Sequence, residues 1–283
     1  MKNYYYDLTI VLPTLGRKDE VDAMLNSIYN SDINKHYKIE ILVIDQNFSS
    51  LLDDIITKYR SLEYPIVHYK VSFRGLSKAK NYGVSRANGK YVCFVDDDAE
   101  FQDGTINVAF EELERCKIDV ISGRCIDREG NDSVQKFSRN ETILSLNDFE
   151  GKFVESTMFF KTELCLKYPY DEEMGVGCFY GAEEGYDLVY RMLNDGVIIK
   201  YNPHIKFYHP QTVMNKSSEK MVRRAFTYRC GYGHLCRKYK LRKKYYTRIS
   251  KLIVYLTILP FYKPREFKFY MADLLGSVVG YYL

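Results

Sequence analysis

Three consecutive carboxylates, Asp96, Asp97 and Asp98, form the strongest chemical signal in the sequence, and they follow an apolar run at 91–95. Two unit charges ~4 Å apart repel by ~4 kcal/mol at an effective dielectric constant of ~20, so a cation is expected beside them. Hard divalent ions such as Mg²⁺ and Mn²⁺ prefer oxygen ligands and often complete their shells with substrate phosphates. The alternative is a solvated acidic turn.

A basic, glycine-containing segment at 74–83 precedes and enters a helix predicted over 77–87. Gly75 and Ser77 leave backbone N–H groups available at the start of that helix, which is a favourable place for an anion. Lys78 and Lys80 add positive charge. A capped surface helix is the alternative interpretation.

Other polar residues stand at the ends of predicted strands or at the start of a helix. Thr14 and Asp45 follow the first two strands, where they could also serve as a helix cap and a turn residue. Glu183 and Glu184 stand where a glycine-containing loop enters a helix, so one of them could cap the helix or act as a general base. His209 ends an extended segment, where it could be structural or a ligand.

The elements that position these residues alternate between strand and helix. Strands are predicted at 8–12, 39–44, 66–71, 91–95, 156–161 and 200–209, and helices at 21–28, 51–59, 77–87 and 183–193. This alternation predicts an α/β fold with a mostly parallel sheet flanked by helices. Ligands of such sheets bind beyond the carboxyl ends of the strands.

Composition and charge divide the chain. The 283 residues are 46% hydrophobic and 28% charged, which excludes disordered and collagen-like classes. The net charge of +4 hides an asymmetry, because residues 211–270 hold 16 Lys and Arg but 2 Asp and Glu, and the rest holds 25 and 35. The sequence therefore predicts a domain at 1–210 and a basic, Tyr-rich helical region at 211–283.

The basic region has an apolar helical stripe, and the residues of this stripe are Met221, Ala225, Tyr228, Tyr232, Leu235 and Tyr239. Gly231 and Gly233 weaken the helix and suggest a break. The stripe could face an anionic membrane or pack on the rest of the protein. No apolar run reaches ~18 residues. Seven Cys without a C-x-x-C pair, and no signal-peptide layout, favour reduced thiols and a cytosolic location.

Six segments in order resemble glycosyltransferase family 2, the inverting enzymes of GT-A fold, here of the type that builds bacterial polysaccharide and lipopolysaccharide. They are TIVLPTLGR at 9–17, LVIDQN at 42–47, RGLSKAKNYG at 74–83, FVDDD at 94–98, GAEEGYDLVYR at 181–191 and FYHP at 207–210. The resemblance implies metal-dependent transfer of a sugar from a nucleotide-diphosphate sugar to a hydroxyl of a glycan or lipid-linked acceptor.

The resemblance also implies residue roles. Asp98 and His209 would bind Mn²⁺ or Mg²⁺, and Glu184, or alternatively Glu183, would be the catalytic base. The residues implied in nucleotide-sugar binding are Pro13, Thr14, Leu15, Arg17, Asp45, Gly75, Leu76, Lys80, Asn81, Asp96 and Asp97. The sequence departs from the family pattern at Lys80, where Arg is usual, at Asp-Gln-Asn 45–47, and at the Glu-Glu pair.

Together these features predict peripheral attachment to the inner face of the plasma membrane and no nucleic-acid partner; they leave the oligomeric state open. A sugar-phosphate nucleotidyltransferase is an alternative, although PTLGR at 13–17 is a poor version of the phosphate loop that such enzymes need. A nucleic-acid-binding module is a further alternative, suggested by the basic region and disfavoured by the acidic remainder.

Overall fold

The computed structural model describes residues 4–211 and 215–283. Its residues group into two compact units. The first contains residues 4–74, 79–169 and 189–211, and the second contains residues 75–78, 170–188 and 215–283. The boundary that the sequence suggests near residue 211 stays a prediction, because two segments of the N-terminal region group with the C-terminal helices.

The first unit is built on one mixed sheet. Its strands are β1 (Tyr6–Thr14), β2 (Ile39–Asp45), β3 (Ile66–Lys70), β4 (Gly89–Phe94), β5 (Glu100–Phe101), β6 (Val120–Ile126), β7 (Thr142–Ile143), β8 (Met158–Lys161) and β9 (Ile199–Tyr208). The strand order is β3-β2-β1-β4-β8-β6-β9-β5, and β7 pairs with β9.

Parallel pairing dominates this sheet. Strands β1 to β4 are parallel, and β6 is parallel to β9. Each of these ladders joins at least five residue pairs, whereas the antiparallel ladders of β8, β5 and β7 join at most three. The carboxyl ends of β1, β2 and β4 therefore meet at one edge, with Thr14 opposite Asp45 in the register.

Helices pack on both faces of the sheet. The helices of this part are α1 (Asp19–Tyr29), α2 (Asp53–Tyr59), α3 (Leu76–Val84), α4 (Thr105–Arg115), α5 (Thr162–Lys167) and α6 (Glu184–Asn194). Buried side chains of α1, α2 and α4 share one core with Leu8, Ile10 and Leu12 of β1. Val11 points the other way and contacts Gly83 of α3. Helices α3 and α6 each contain residues of both units.

The second unit contains three long helices, α7 (Glu219–Lys238), α8 (Arg242–Tyr262) and α9 (Phe267–Tyr282). The interruption suggested by Gly231 and Gly233 does not occur, since α7 is continuous. The reason is close helix packing: a Cβ at Gly233 would lie 2.3 Å from the Ser277 carbonyl oxygen of α9. Gly233 lowers helix propensity, but it allows the backbones of α7 and α9 to approach each other. Gly231 makes a different close approach, since a Cβ there would lie 2.3 Å from the Ala182 carbonyl oxygen.

The predicted apolar stripe of α7 belongs to the core of the second unit. Ala225, Tyr232 and Leu235 are buried, and Met221, Tyr228 and Tyr239 are half-buried. Over the described ranges, no helix is both long and apolar enough to cross a membrane.

Candidate active site

The acidic segment lies at the carboxyl edge of the sheet, directly after β4. Thr14, the last residue of β1, donates a hydrogen bond from Oγ1 to Oδ2 of Asp97 at 2.8 Å. Arg17 forms ion pairs with both Asp97 and Asp98, and its Nη1 lies 3.1 Å from Oδ1 of Asp97. Arg17 therefore supplies part of the positive charge that is expected beside these carboxylates.

The carboxyl group of Asp97 is held in an unfavourable environment for its charge. Burial raises its pKa to about 6, and repulsion from Asp98 and Asp96 acts in the same direction. Arg17 and the Thr14 hydroxyl lower the pKa but do not cancel these effects. Additional positive charge at this edge would stabilise the ionised form.

His209 faces the same acidic segment from the end of β9. Its backbone N–H donates to the Ile126 carbonyl at 2.9 Å, which fixes the start of the loop. Its Nδ1 lies 2.9 Å from the Pro210 carbonyl oxygen, and its Nε2 lies 3.5 Å from Oδ1 of Asp98. Donation from Nδ1–H to a carbonyl leaves the Nε2 lone pair available, as is usual for a ligating imidazole.

The residues around Asp98 suit a divalent ion that is shared with a substrate. Across residues 4–211 and 215–283, no three His, Cys, Asp or Glu side chains converge as a complete metal-binding set. A carboxylate and an imidazole that face each other can supply one or two ligands, and phosphate oxygens can supply others. Asp98 and His209 therefore fit a metal that binds together with a diphosphate.

Asp45, at the end of β2, is fully buried and hydrogen-bonded. Its Oδ2 lies 2.8 Å from Nε2 of His68 on β3, and its Oδ1 accepts from the backbone and side-chain nitrogens of Asn47 at 2.9 and 2.8 Å. Burial opposes ionisation, but these hydrogen bonds outweigh it and lower the pKa of Asp45. Asn47 also accepts from the Gly16 N–H at 2.7 Å, which links this group to the loop after β1.

The predicted residues of α3 divide between the units. Lys80 is buried in the first unit and forms an ion pair with Glu155, and Asn81 is half-buried there. Gly75 and Leu76 lie in the second unit, where the Leu76 N–H donates to the Val176 carbonyl at 3.1 Å. Two other predicted residues of the first unit differ in exposure, since Pro13 is buried and Leu15 is exposed.

The acidic pair stands at the start of α6 in the second unit. Glu183 adopts a left-handed backbone conformation with φ of 75°, which costs a non-glycine residue about 1–2 kcal/mol. Glu184 begins the helix and is buried. A Cβ at Gly175 would lie 3.1 Å from Cδ of Glu184 and 2.8 Å from Oγ of Ser77, so glycine is needed where this carboxylate packs.

A polar network ties the first turn of α6 to the end of α7. Asp187, one turn after Glu184, is buried and accepts from the Tyr239 hydroxyl at 2.6 Å. Lys238 lies 2.7 Å from the same Asp187 oxygen and 2.8 Å from Oδ2 of Asp171. The C-terminal helices therefore help to fix the segment that carries Glu184.

A comparison with models of protein families identifies the family of this chain. Residues 9–177, more than half of the chain, match the model of Glycosyl transferase family 2. The chain belongs to this family. The match covers the loops after β1 and β2, the start of α3 and the acidic segment after β4.

Two similar proteins match the chain over part of their length. The chain is 27% identical over 183 residues to the GalNAc(5)-diNAcBac-PP-undecaprenol beta-1,3-glucosyltransferase of Campylobacter jejuni, covering 62% of this chain and 57% of that protein. It is 25% identical over 114 residues to the poly(ribitol-phosphate) beta-N-acetylglucosaminyltransferase TarS of Staphylococcus aureus, covering 40% and 20%. The alignments thus span little more than half of the first relative and a fifth of the second.

Solved structures of similar fold include two glycosyltransferases. S. aureus TarS 1-349 matches with a TM-score of 0.62 and 18% identity, covering 78% of this chain and 63% of that one. The mannosyltransferase PcManGT from Pyrobaculum calidifontis, solved with GDP-Man and Mn²⁺, matches with a TM-score of 0.60 and 16% identity, covering 99% and 88%. The GT-A fold predicted for this family 2 chain is confirmed.

The structure brings together Thr14, Arg17, Asp97, Asp98 and His209 in one group of the first unit. Two partners of site residues were not predicted, His68 beside Asp45 and Glu155 beside Lys80. A histidine within a predicted strand was a weak signal for the first. No sequence spacing indicated the second, because the pair is separated by 75 positions.

Proposed function

We propose that this chain transfers a sugar from a nucleoside-diphosphate sugar to a hydroxyl group of a glycan or lipid-linked acceptor, with inversion at the anomeric carbon. The observation that carries the proposal is the group of Asp97, Asp98 and His209 at the carboxyl edge of the sheet in a family 2 chain. Family membership also favours glycosyl transfer over the nucleotidyl-transfer alternative.

Asp98 and His209 would hold Mn²⁺ or Mg²⁺ in this proposal. When bound, the ion supplies positive charge to the diphosphate that leaves. Arg17, which already pairs with Asp97 and Asp98, would orient the two carboxylates. Asp96 and Asp97 would then face the ribose and the sugar of the donor.

The remaining donor contacts are proposed from the family resemblance. Asp45, held in position by His68 and Asn47, would accept from the ribose or base. Pro13, Thr14 and Leu15 would line the same part of the site. The start of α3 at Gly75 and Leu76, with Asn81, would lie near the nucleotide. Lys80 would contribute charge through a position fixed by Glu155.

The chemical step is a single displacement. Glu184 accepts the proton of the acceptor hydroxyl, and the resulting oxygen forms a bond to the anomeric carbon. The bond between that carbon and the diphosphate oxygen breaks, and its electron pair leaves with the nucleoside diphosphate. One displacement inverts the configuration. Glu183 is the alternative base.

We also propose that the enzyme works at the inner face of the plasma membrane as a peripheral protein. The support is the basic region at 211–270 together with a relative whose name contains an undecaprenol-linked glycan. A lipid-linked acceptor would place the reaction at a bilayer surface. The following experiment is designed to identify the sugar and the nucleotide base of the donor.

A thermal-shift screen tests the proposal. The full chain is heated with uridine, guanosine, cytidine and thymidine diphosphates and their sugars, with Mn²⁺, with Mg²⁺ or with chelator. We expect one nucleotide class to raise the melting temperature in the presence of metal, since a ligand that binds the folded state stabilises it by mass action. Chelator should remove the shift.

Asp98→Ala is the test variant, and Asp148→Ala, in an exposed turn, is its control. Asp98→Ala should abolish the metal-dependent part of the shift, and the control should keep it. A normal metal response in Asp98→Ala would contradict the metal assignment. No stabilisation by any nucleotide, in a protein that melts cooperatively, would contradict the transferase proposal.

A further inference from the structure

We propose that the outward face of α8 docks on anionic lipid bilayers, with the helix lying along the membrane surface. This inference rests on the proposed function, because a lipid-linked acceptor requires the enzyme at a bilayer. The outward face of α8 is a specific attachment surface. The charge asymmetry of the sequence did not identify one.

Helix α8 has two apolar faces, and only one of them is covered. Leu252, Leu256 and Leu259 are buried and pack with side chains of α9. The opposite face carries four exposed apolar side chains, Ile253, Val254, Ile258 and Phe261. Val254 is 64% exposed and Phe261 is 89% exposed. A helix with an unpartnered apolar face is typical of interfacial attachment.

The charge around this face has a single sign. Residues 242–265 contain no Asp or Glu, and exposed basic side chains stand at both ends of the helix, at Arg242, Lys243 and Arg265. Lys251 adds another exposed charge near the middle. Arg248 and Lys263 are excluded from this set because Arg248 pairs with Asp273 at 2.8 Å and Lys263 with Glu266 at 3.7 Å.

Charge complementarity favours anionic lipid as the binding partner of this face. Anionic phospholipids such as phosphatidylglycerol carry negative charge that would pair with the exposed basic side chains around the face, which are called the basic rim here. The upper part of the acyl chains would contact Phe261 and the other exposed apolar side chains of α8. A second copy of the chain would bring two basic rims together, and this repulsion disfavours self-association through α8. The side chains of Lys and Arg can extend to the headgroups while their stems contact apolar surface.

The helix with exposed apolar side chains is α8 and not α7. The sequence suggested the apolar stripe of α7, but its central residues are buried in the second unit. The exposed apolar residues lie on α8 instead. Since no described helix can span a bilayer, attachment through α8 would be along the surface.

A fluorescence experiment tests the position of the face directly, because the chain contains no tryptophan. Phe261→Trp introduces a single reporter at the proposed contact, and Leu166→Trp places one on the exposed side of α5 as a control. With phosphatidylcholine vesicles that contain phosphatidylglycerol, we expect the emission of Phe261→Trp to shift to the blue and that of Leu166→Trp to stay unchanged. Vesicles of phosphatidylcholine alone should have little effect.

Co-sedimentation with the same vesicles measures how much individual side chains of the α8 face contribute to membrane binding. Phe261→Ser should weaken binding on the order of tenfold, and Lys251→Ala about fivefold, with stronger binding at low salt. Leu166→Ser and Lys35→Ala are the matched controls on other exposed surfaces, and both should bind as the unmodified chain does.

An unchanged emission of Phe261→Trp on vesicles that sediment the protein would overturn the inference, and so would binding that does not depend on anionic lipid. A blue shift without vesicles that grows with protein concentration would assign the face to a second copy and also overturn it. Donor-dependent thermal shifts, measured on the unmodified chain, separate the proposals. If these shifts are present while the unmodified chain fails to bind vesicles, the docking face is contradicted and the transferase proposal remains supported.

Discussion

Asp45 ends β2 and Asp97 follows β4, and both strands neighbour β1, yet the pKa values of the two residues are shifted in opposite directions. Burial raises the pKa of Asp97 to about 6, whereas hydrogen bonds from His68 and Asn47 overcome burial and lower the pKa of Asp45. Burial alone therefore does not determine the charge of a carboxylate here. At Asp97, burial and repulsion from Asp98 and Asp96 outweigh the attraction of Arg17 and the Thr14 hydrogen bond.

His68→Ala should lower the free energy of unfolding by about 1–3 kcal/mol near neutral pH, because it leaves a buried acceptor of Asp45 unpaired. The folded pKa of Asp45 lies below its unfolded value of about 4, so this stabilisation is present above that pH. It is lost as the pH falls through the folded pKa. Urea unfolding at a series of pH values measures the difference.

The difference between the unmodified chain and His68→Ala should therefore narrow as the pH falls below about 4. His36→Ala removes an exposed imidazole and should change stability by no more than about 0.5 kcal/mol. A difference that is constant over the whole pH range would contradict the role given to the Asp45 hydrogen bond.

Glu184→Gln should reduce the turnover rate by roughly 10²–10⁴-fold, because the amide cannot accept the acceptor proton. Donor-dependent thermal stabilisation should remain, since the change keeps the size of the side chain. Turnover and thermal shift are measured on the same preparation. Glu183→Gln is the matched variant: a loss confined to it would transfer the base role to Glu183.

At the scale of elements, the pairing of α7 with α9 depends on glycine. A Cβ at Gly280 would lie 2.0 Å from the Cys230 carbonyl oxygen, and one at Gly276 would lie 2.3 Å from that of Phe226. Both obstacles are backbone atoms, which cannot move aside as a flexible side chain can. The two helices must separate before either glycine can be enlarged.

Gly280→Ala should therefore destabilise the chain by about 1–3 kcal/mol, although alanine favours an isolated helix by about 1 kcal/mol. Thermal unfolding followed by circular dichroism measures the change. Leu275→Ala, on the exposed side of the same helix, should be nearly neutral. A stabilising effect of Gly280→Ala would show that helix propensity outweighs the contact.

Local sequence patterns predicted the main elements well. The strands at β1 to β4, β8 and β9 and the helices α1, α2, α3 and α6 were expected from apolar runs and helical spacing. Strand β6 was missed because VISGRCI contains Ser, Gly and Arg within a buried strand. Its burial comes from β8 and β9, which lie far along the sequence, and a local pattern cannot report such partners.

At the scale of the whole molecule, strand alternation predicted that polar residues after separate strands would meet at one edge of the sheet. The meeting of Thr14, Asp97 and His209 follows from parallel strands whose carboxyl ends coincide. The partners His68 and Glu155 could not be predicted, because side-chain pairing across the fold leaves no fixed spacing. The same limit applied to α7, because Tyr232 of its stripe is buried against residues of α8 and α9 that lie later in the sequence.

All seven cysteines are free thiols, and five of them, Cys93, Cys125, Cys165, Cys230 and Cys236, are buried. Burial also raises the pKa of Cys230 to about 11, which keeps it in the less reactive thiol form. A thiol reagent should therefore modify at most Cys116 and Cys178 in the native protein, and all seven after unfolding.

The thiol count is measured by absorbance with a disulfide reagent, with and without denaturant. Cys116→Ser and Cys178→Ser should each lower the native count by one without changing the buried ones. Rapid modification of more than two thiols in the native chain would contradict the burial of the remaining five. A melting temperature that falls on addition of reductant would contradict the absence of disulfides.

The contact between α7 and α9 has a consequence for the newly made chain. Helix α7 leaves the ribosome before α9, with α8 between them. At typical synthesis rates this interval of about thirty residues lasts roughly a few seconds. During that time α7 lacks the helix that packs on it at Cys230 and Gly233, so the nascent chain exposes surface that a chaperone can bind.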